Sequence, residues 1–466
     1  MTSFDVIVIG AGPAGEVAAG RLAEQSLDVA IIESELVGGE CAFYACMPSK
    51  ALLRPAEALA ETRRVPGAAE VLSGALDVDA ALRRRDEVIH ALDDSGQLKW
   101  LDERGITLLR GHARLDGERV VGVGGQRHEA RKAVVVAVGS TAAMPEITGL
   151  AAADPWTNRE VTTAHTVPRR LIVLGGGAVG VEMAQAYSEL GASVCLLESA
   201  DRLLAGEEDF VSEELTVALR GWGVDVRLGV AAQAVARSDA TITLTLDDGA
   251  RIDADELLVA VGRRPRTDDL GVETIGLEPG DSLDVDDEMR VVGMPWLYAI
   301  GDVNGRAYLT HAGKYQARVA AAVIAGEEAH ASWDNRGAPR VVFTDPQVAA
   351  VGLTLAETRE RGLNAQAYDV PSSGTAGASF HGRSTPGTAR IVVDEGRGVI
   401  VGATFTGCEV AEWLHAATVA ITAEVPVERL WEAIPAFPTR SEVWLNLLER
   451  RRSRLRAAPS TPPADR

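Results

Sequence analysis

Two segments of this chain repeat one design, and nothing else in the sequence narrows its possible folds as sharply. Residues 5–33 run from an apolar strand (DVIVIG) through a glycine-rich turn (GAGPAG) and a helix to a second strand that ends in an acid (VAIIE). Residues 171–198 do the same with LIVLG, GGGAVG, a helix and SVCLLE. The acid follows the first glycine by 23 positions in both copies, Gly10 to Glu33 and Gly175 to Glu198. A lone G-x-G-x-x-G says little, because tight strand–helix turns use glycine for purely structural reasons. Here each turn follows a strand, opens a helix and precedes an acid at the right distance. Backbone N–H groups and the helix N-terminus can then approach a pyrophosphate, and the acid can accept hydrogen bonds from a ribose. The pattern assigns Gly10, Gly12, Gly15 and Glu33 to one dinucleotide and Gly175, Gly177, Gly180 and Glu198 to a second. A carboxylate at position 198 accepts from a 2′-hydroxyl and repels a 2′-phosphate, so NAD is favoured over NADP, a preference that nearby Arg202 could soften.

The parallel continues downstream. Alternating segments with glycine turns follow each copy, VVGVGGQRHEA and ITLTLDDGARID, and read as β-meanders. Each leads into a buried strand that meets a glycine, AVVVAVGS at 133–140 and ELLVAVGR at 256–263. Past residue 265 the texture changes. WLYAIGD at 296–302 is a further strand, 310–325 reads as a helix, and from about 337 strands such as RVVFTD and RIVVDE alternate with helical stretches such as EVAEWLHAATVAITA. The expected fold is therefore α/β: two Rossmann-like dinucleotide-binding domains and a C-terminal α+β domain. The basic, proline-containing tail from about 450 is expected to fray.

A chain of 466 residues exceeds one ordinary hydrophobic core, in keeping with several domains. Its 46% hydrophobic and 24% charged residues are those of a globular protein. No apolar run approaches the ~20 residues of a membrane span. DVIVIG follows the N-terminus with no basic region or cleavage site before it, so no secretory signal is expected and a cytoplasmic location follows. A formal net charge of −21 argues against a nucleic-acid partner, because phosphate binding needs a basic surface.

Four cysteines in a chain of this size cannot form a structural disulfide framework. Cys41 and Cys46 stand close together in GGECAFYACMPSK, residues 38–50. The C-x4-C spacing is too wide for the usual zinc pair, and no second pair completes a site, so no metal is expected. Pro48 suits the first turn of a helix, which would place Cys46 at a helix N-terminus, where the backbone dipole favours a thiolate. Two inert buried cysteines are the alternative. Cys195, in an apolar strand, reads as core, and Cys408 as an inert small residue. Only four lysines occur, Lys50, Lys99, Lys132 and Lys314, which leaves Lys50 without a nearby substitute.

Taken in order, these segments resemble the pyridine nucleotide–disulfide oxidoreductases over nearly the whole chain. The resemblance rests on GAGPAG, the cysteine segment, AVGS at 137–140, GGGAVGVE at 175–182, VGRRP at 261–265, YAIGD at 298–302 and FTDPQVAAVGLT at 343–354. It implies FAD and NAD as cofactors, with electrons passing from NADH through FAD to the Cys41–Cys46 redox disulfide. Cys46 would be the thiol beside the flavin and Cys41 the thiol that meets the substrate. Lys50 would lie by the flavin and pair with Glu182. Cofactor contacts are implied at Lys50, Ala113, Gly139, Ser140, Gly262, Asp302 and Ala312, with Asp302 on the flavin ribitol. A homodimer is implied as well. The domains would run as FAD-binding 1–148 and 269–336, NAD(P)-binding 149–268, interface 337–450 and tail 451–466.

The family's C-terminal His-Pro-Thr…Ser-Glu is altered. This chain reads AFPTRSE at 436–442, with Phe437 in place of the acid–base His and Glu442 kept. Phe cannot move a proton, so a contribution of about 10²–10⁴-fold is missing unless another group supplies it. Phe43, Tyr44 and Phe437 together suggest a drier, more aromatic substrate mouth; simple space-filling is the alternative. No residue, His311, His381, His415 and Tyr44 included, is assigned as a replacement base. The expected activity is reduction of a disulfide or small electrophilic acceptor by the dithiol. Alternatives are quinone-type reduction directly from the flavin, and a redox sensor or flavin-binding partner subunit.

Overall fold

A computed structural model of the protein describes residues 1–334, 337–382 and 385–457. Its contacts form two compact units: Met1–Arg54 with Asp77–Ser199 and Gly229–Asn335, and Pro55–Leu76 with Ala200–Leu228 and Arg336–Arg466.

In the first unit, strand β1 (Thr2–Ile9) leads into helix α1 (Pro13–Glu24) and strand β2 (Val29–Glu33). β1 lies parallel to β2 on one side and to the strand Gln126–Val136 on the other. Thr107–Arg110 extends the sheet beside β2, and Leu297–Ala299 extends it beside Gln126–Val136. Period-two alternation explains why β1 reads as one apolar run. Val6 and Val8 enter one hydrophobic cluster with Ala18, Leu22 and Ala320, while Ile7 and Ile9 enter the other with Val134 and Leu297. Both faces of the strand are covered. The first meander and the buried strand after it prove to be a single element. Gln126–Val136 pairs antiparallel with Val120–Val123 through its first four residues and parallel with β1 from His128 onward.

The second copy of the motif stands in the same unit. Arg170–Leu174 is flanked in parallel by Ser193–Glu198 and Glu256–Val259, with the helix Ala178–Glu189 between the first two in sequence. Its meander is a separate antiparallel sheet of Ala232–Ser238, Thr241–Leu246 and Arg251–Ala254.

The second unit contains a five-stranded antiparallel sheet in the order Arg340–Val342, Gln347–Gly352, Val399–Gly407, Thr388–Asp394, Ala365–Pro371. The helix Val410–Thr422 buries Trp413, Leu414 and Ala417 along one side. The C-terminus departs from its expected fraying. A helix continues from Val443 to Ala457, and Arg451, 8% exposed, pairs with Glu395 at 2.7 Å. Residues 458–466 of the expected flexible tail lie outside the described residues. Among the described residues no helix is long and apolar enough to cross a membrane, and no His/Cys/Asp/Glu group could hold a metal ion.

Candidate active site

The three glycines of each turn do different work. Gly10 has φ +98°, and a Cβ there would lie 2.4 Å from the Ala137 carbonyl oxygen; a Cβ on Gly15 would lie 2.0 Å from the Gly10 oxygen. The first therefore permits the turn and the third lets α1 seat on it. Nothing stands within 4 Å of a Cβ on Gly12, so the middle position opens to a ligand. The second turn repeats the pattern, with 2.4 Å at Gly175, 1.9 Å at Gly180 and open space at Gly177. Each acid also ties down its own turn: Glu33 accepts from the Ala11 N–H at 2.9 Å and Glu198 from the Gly176 N–H at 2.6 Å.

A cavity of about 470 Å³ in the first unit is walled by Gly10, Gly12, Glu33, Cys41, Ala113, Gly139, Ser140 and Asp302. Gly15, Cys46, Lys50 and Ala312 do not line it; Gly15 lies under the turn, and Ala312 is 3% exposed within its helix. Gly262, with φ +143°, follows the strand Glu256–Val259 of the second nucleotide fold. Ser140 donates to Asp302, and Arg263 donates to Ser140 at 2.6 Å. Burial raises the Asp302 carboxyl, against the lowering pull of Ser140 and Arg263. An open glycine turn, a ribose-seeking acid and a polar wall sharing a cavity with Cys41 fit a dinucleotide that carries a redox ring.

Cys41 lies on the short helix α2 (Gly39–Phe43), and Cys46 is the first residue of helix α3 (Cys46–Arg64). Both are free thiols. The Cys46 sulfur is 3.5 Å from the Thr310 hydroxyl. One turn further along α3, Lys50 donates to Glu182 at 2.7 Å, so this pair forms as the resemblance implied. Cys46 is pulled down to about 6, first by the hydrogen bond from Cys41, then by Thr310 and the Lys50 charge, against burial and Glu182. Cys41 is pushed well up, first because it gives its hydrogen bond to Cys46 and then by burial. The two sulfurs thus hold one proton near neutral pH: a thiol at 41 donating to a thiolate at 46.

A set of residues that sequence reading did not single out holds the Cys41 segment in place. Glu40 accepts from Arg159 at 2.6 Å, Asn158 at 2.7 Å and Arg266 at 3.1 Å. The Tyr44 carbonyl accepts from Asn158 at 3.0 Å and Thr162 at 3.1 Å, and the Arg159 guanidinium stands 4.5 Å over the Tyr44 ring. Glu40 stood inside the flagged cysteine segment and Thr310 beside the flagged His311. The arginines, more than a hundred positions away, carried no local sign.

Of the three aromatics expected at the substrate mouth, the structure overturns Phe43. Phe43 is 1% exposed and packs beneath Gly38, so it belongs to the core; Tyr44 lines the cavity. Phe437 belongs to the second unit and is 77% exposed. Glu442 closes a capping box with Thr439, whose N–H it accepts at 3.3 Å. His381 pairs with Glu409 at 3.3 Å.

Comparison with known proteins follows this geometry. Residues 4–329 match the model of the pyridine nucleotide-disulphide oxidoreductases, and residues 338–448 match that family's dimerisation domain. A dihydrolipoyl dehydrogenase of Haloferax volcanii is 33% identical, the match covering 96% of each chain. A mercuric reductase of Staphylococcus aureus is 28% identical over 94% of this chain and 81% of its own. Among solved structures, a Cu(II) complex of the HOCl-induced flavoprotein disulfide reductase RclA from Escherichia coli superposes with a TM-score of 0.85 at 25% identity, covering 96% of this chain and 99% of that one. The chain belongs to the pyridine nucleotide-disulphide oxidoreductase family and is an NAD(P)H-dependent flavoprotein oxidoreductase that uses FAD and NAD.

Proposed function

We propose that this protein reduces a disulfide, or a small electrophile of comparable reactivity, at Cys41, with NADH as electron source. The observation that carries this reading is Cys41 in the wall of the nucleotide cavity, coupled to a Cys46 whose sulfur lies 3.5 Å from Thr310 of the same wall. FAD, when bound there, supplies two-electron transfer between nicotinamide and dithiol. Gly12 and the α1 N-terminus would receive its pyrophosphate, Glu33 its ribose, and Asp302 with Ser140 its polar chain. Glu182 fixes Lys50 near Cys46, where the Lys50 charge helps to lower the thiol and the Glu182 charge opposes it.

In thiol exchange the Cys41 sulfur attacks one sulfur of the substrate disulfide, and its proton passes to the Cys46 thiolate that already accepts its hydrogen bond. The substrate's other sulfur leaves and takes that proton. Cys46 then attacks Cys41, the mixed disulfide opens, and the second substrate thiolate departs. Two protein thiols are oxidised as one substrate disulfide is reduced. With Phe437 where the family's His would stand, Cys46 is the base in this scheme. Because a thiolate held near 6 is a weak base, exchange with dithiol substrates is expected to be slow beside relatives that keep the His.

Glu198 supports NADH over NADPH. Arg202, the cation that could have softened this preference, is tied to Asp209 and donates to the Ala205 carbonyl at 2.9 Å. The dimerisation-domain match supports a homodimer. Phe437 in place of the family's acid–base His motivates one second reading, direct reduction of a flat quinone-like acceptor by the reduced cofactor. Turnover of disulfide and quinone acceptors by Cys41→Ser and Cys46→Ser proteins separates the two. The dithiol reading expects at least ~100-fold loss with the disulfide in both variants; undiminished turnover would refute it.

A further inference from the structure

The helix Asn158–Thr163 carries no reacting group, yet its first residue joins two parts of the site in the first unit. Six residues are too few for a helix to hold itself in water. This one is anchored at both ends. A capping box of Thr157 and Glu160 closes its N-terminus. At the other end the Val161 carbonyl accepts from the Tyr187 hydroxyl at 2.6 Å, and the Thr162 and Ala164 carbonyls accept from Arg85, which is fully buried.

Asn158 is 6% exposed and uses both ends of its side-chain amide. The oxygen accepts from Arg263 at 3.1 Å, while the nitrogen donates to Glu40 at 2.7 Å and to the Tyr44 carbonyl at 3.0 Å. A cation on one side and two acceptors on the other fix which end is which. Arg263 leads on to Ser140, and Ser140 to Asp302, along the wall that would receive the flavin's polar chain. Glu40 and Tyr44 stand towards opposite ends of α2, with Cys41 between them. One amide therefore grips the Cys41 helix twice and ties it to the Asp302 wall. Cys46 is lowered first by the hydrogen bond from Cys41, and a five-residue helix released from its ties can tilt that donor away. The other groups facing the two sulfurs are Thr310 and Lys314 on the helix Thr310–Ala325, Lys50 on α3 and Glu182 on the helix Ala178–Glu189. None of these stands on α2.

We propose that Asn158 is a positioning residue for thiol exchange, locking the Cys41 helix to the cofactor-facing wall so that the Cys41 thiol stays directed at the Cys46 sulfur. This role rests on the dithiol reading above. Arg159 and Thr162 of the same helix keep their own bonds to Glu40 and to the Tyr44 carbonyl, so loss of Asn158 loosens the dithiol without freeing it.

The test follows the pH dependence of Cys46 alkylation by iodoacetamide in full-length, FAD-loaded protein whose dithiol is reduced and kept anaerobic. Asn158→Leu keeps the branched shape and removes the polar atoms. It should move the midpoint from about 6 to about 7 and cut disulfide turnover about 10-fold or more. Asn158→Ala should do the same and serves if the Leu protein fails to fold. Arg451→Ala, a destabilising change in the second unit, should leave the midpoint at about 6 and controls for lost stability. A midpoint that stays put in the Asn158 variants, or that moves equally in Arg451→Ala, would overturn the positioning role. A wild-type midpoint at the ordinary thiol value would instead remove the dithiol reading beneath it.

Discussion

Two sulfurs with unequal proton affinity are the functional core at the scale of single residues. The first cause of the low Cys46 value is the hydrogen bond from the Cys41 thiol, so Cys41→Ala, which removes the donor, should raise it from about 6 towards the ordinary thiol near ~8.5. Lys50→Met, which removes a smaller contribution, should raise it less. The pH dependence of Cys46 alkylation measures both. With a lowered value, the thiolate is present above about pH 6 and is lost as pH falls through it. The helix start at Cys46 was legible from Pro48 two positions on, and the Cys pair from its glycine-bounded setting. The hydrogen-bond donors were not, because Thr310 reaches Cys46 only through the fold. Phe43 shows the opposite failure. An aromatic residue beside a reactive cysteine looks like part of the site, yet its ring is packed against Gly38, and no local pattern reveals which way a side chain on a five-residue helix turns.

At the scale of elements, the strand–turn–helix copies separate structural from ligand-facing glycine. Gly15→Ala should cost the fold about 1–3 kcal/mol in urea unfolding, because a Cβ 2.0 Å from the Gly10 oxygen forces α1 off its turn. Gly12→Ala meets nothing within 4 Å and should leave the flavin-free protein as stable as wild type while weakening FAD retention on dialysis. The two turns were readable from spacing alone, as was the helix Thr310–Ala325, but the division of work among their glycines was not. The last helix was not. Its basic, arginine-rich sequence looks like a solvated tail, but Arg451 lies buried against Glu395 and Glu428. Arg451→Ala should destabilise by about 3 kcal/mol, since it leaves Glu395 with the Tyr368 hydroxyl but without its cation, and a loss under 1 kcal/mol in the same assay would count against that view.

For the whole molecule, the repeat disclosed two nucleotide folds, whereas chain order hid how the polypeptide is shared between compact units. Pro55–Leu76 and Ala200–Leu228 group with the C-terminal residues, although nothing in their composition marks a change of unit. Contacts made at long sequence separation have no local signature. Cofactor choice also belongs to this scale, because it decides which nicotinamide pool drives the enzyme. Glu198→Gln removes the carboxylate that repels a 2′-phosphate and should narrow the NADH:NADPH ratio of kcat/KM by about 10-fold or more, chiefly through KM for NADPH. The most direct measurement of the central claim is the anaerobic absorbance spectrum after stoichiometric NADH. A long-wavelength thiolate–flavin band should appear in wild type and fade as pH falls through about 6. Cys41→Ser, with no disulfide to take the electrons, should show it before NADH is added and lose it as the flavin is reduced. Cys46→Ser should never show it. Identical spectra from wild type and Cys46→Ser would contradict a thiolate at position 46 in electronic contact with the cofactor.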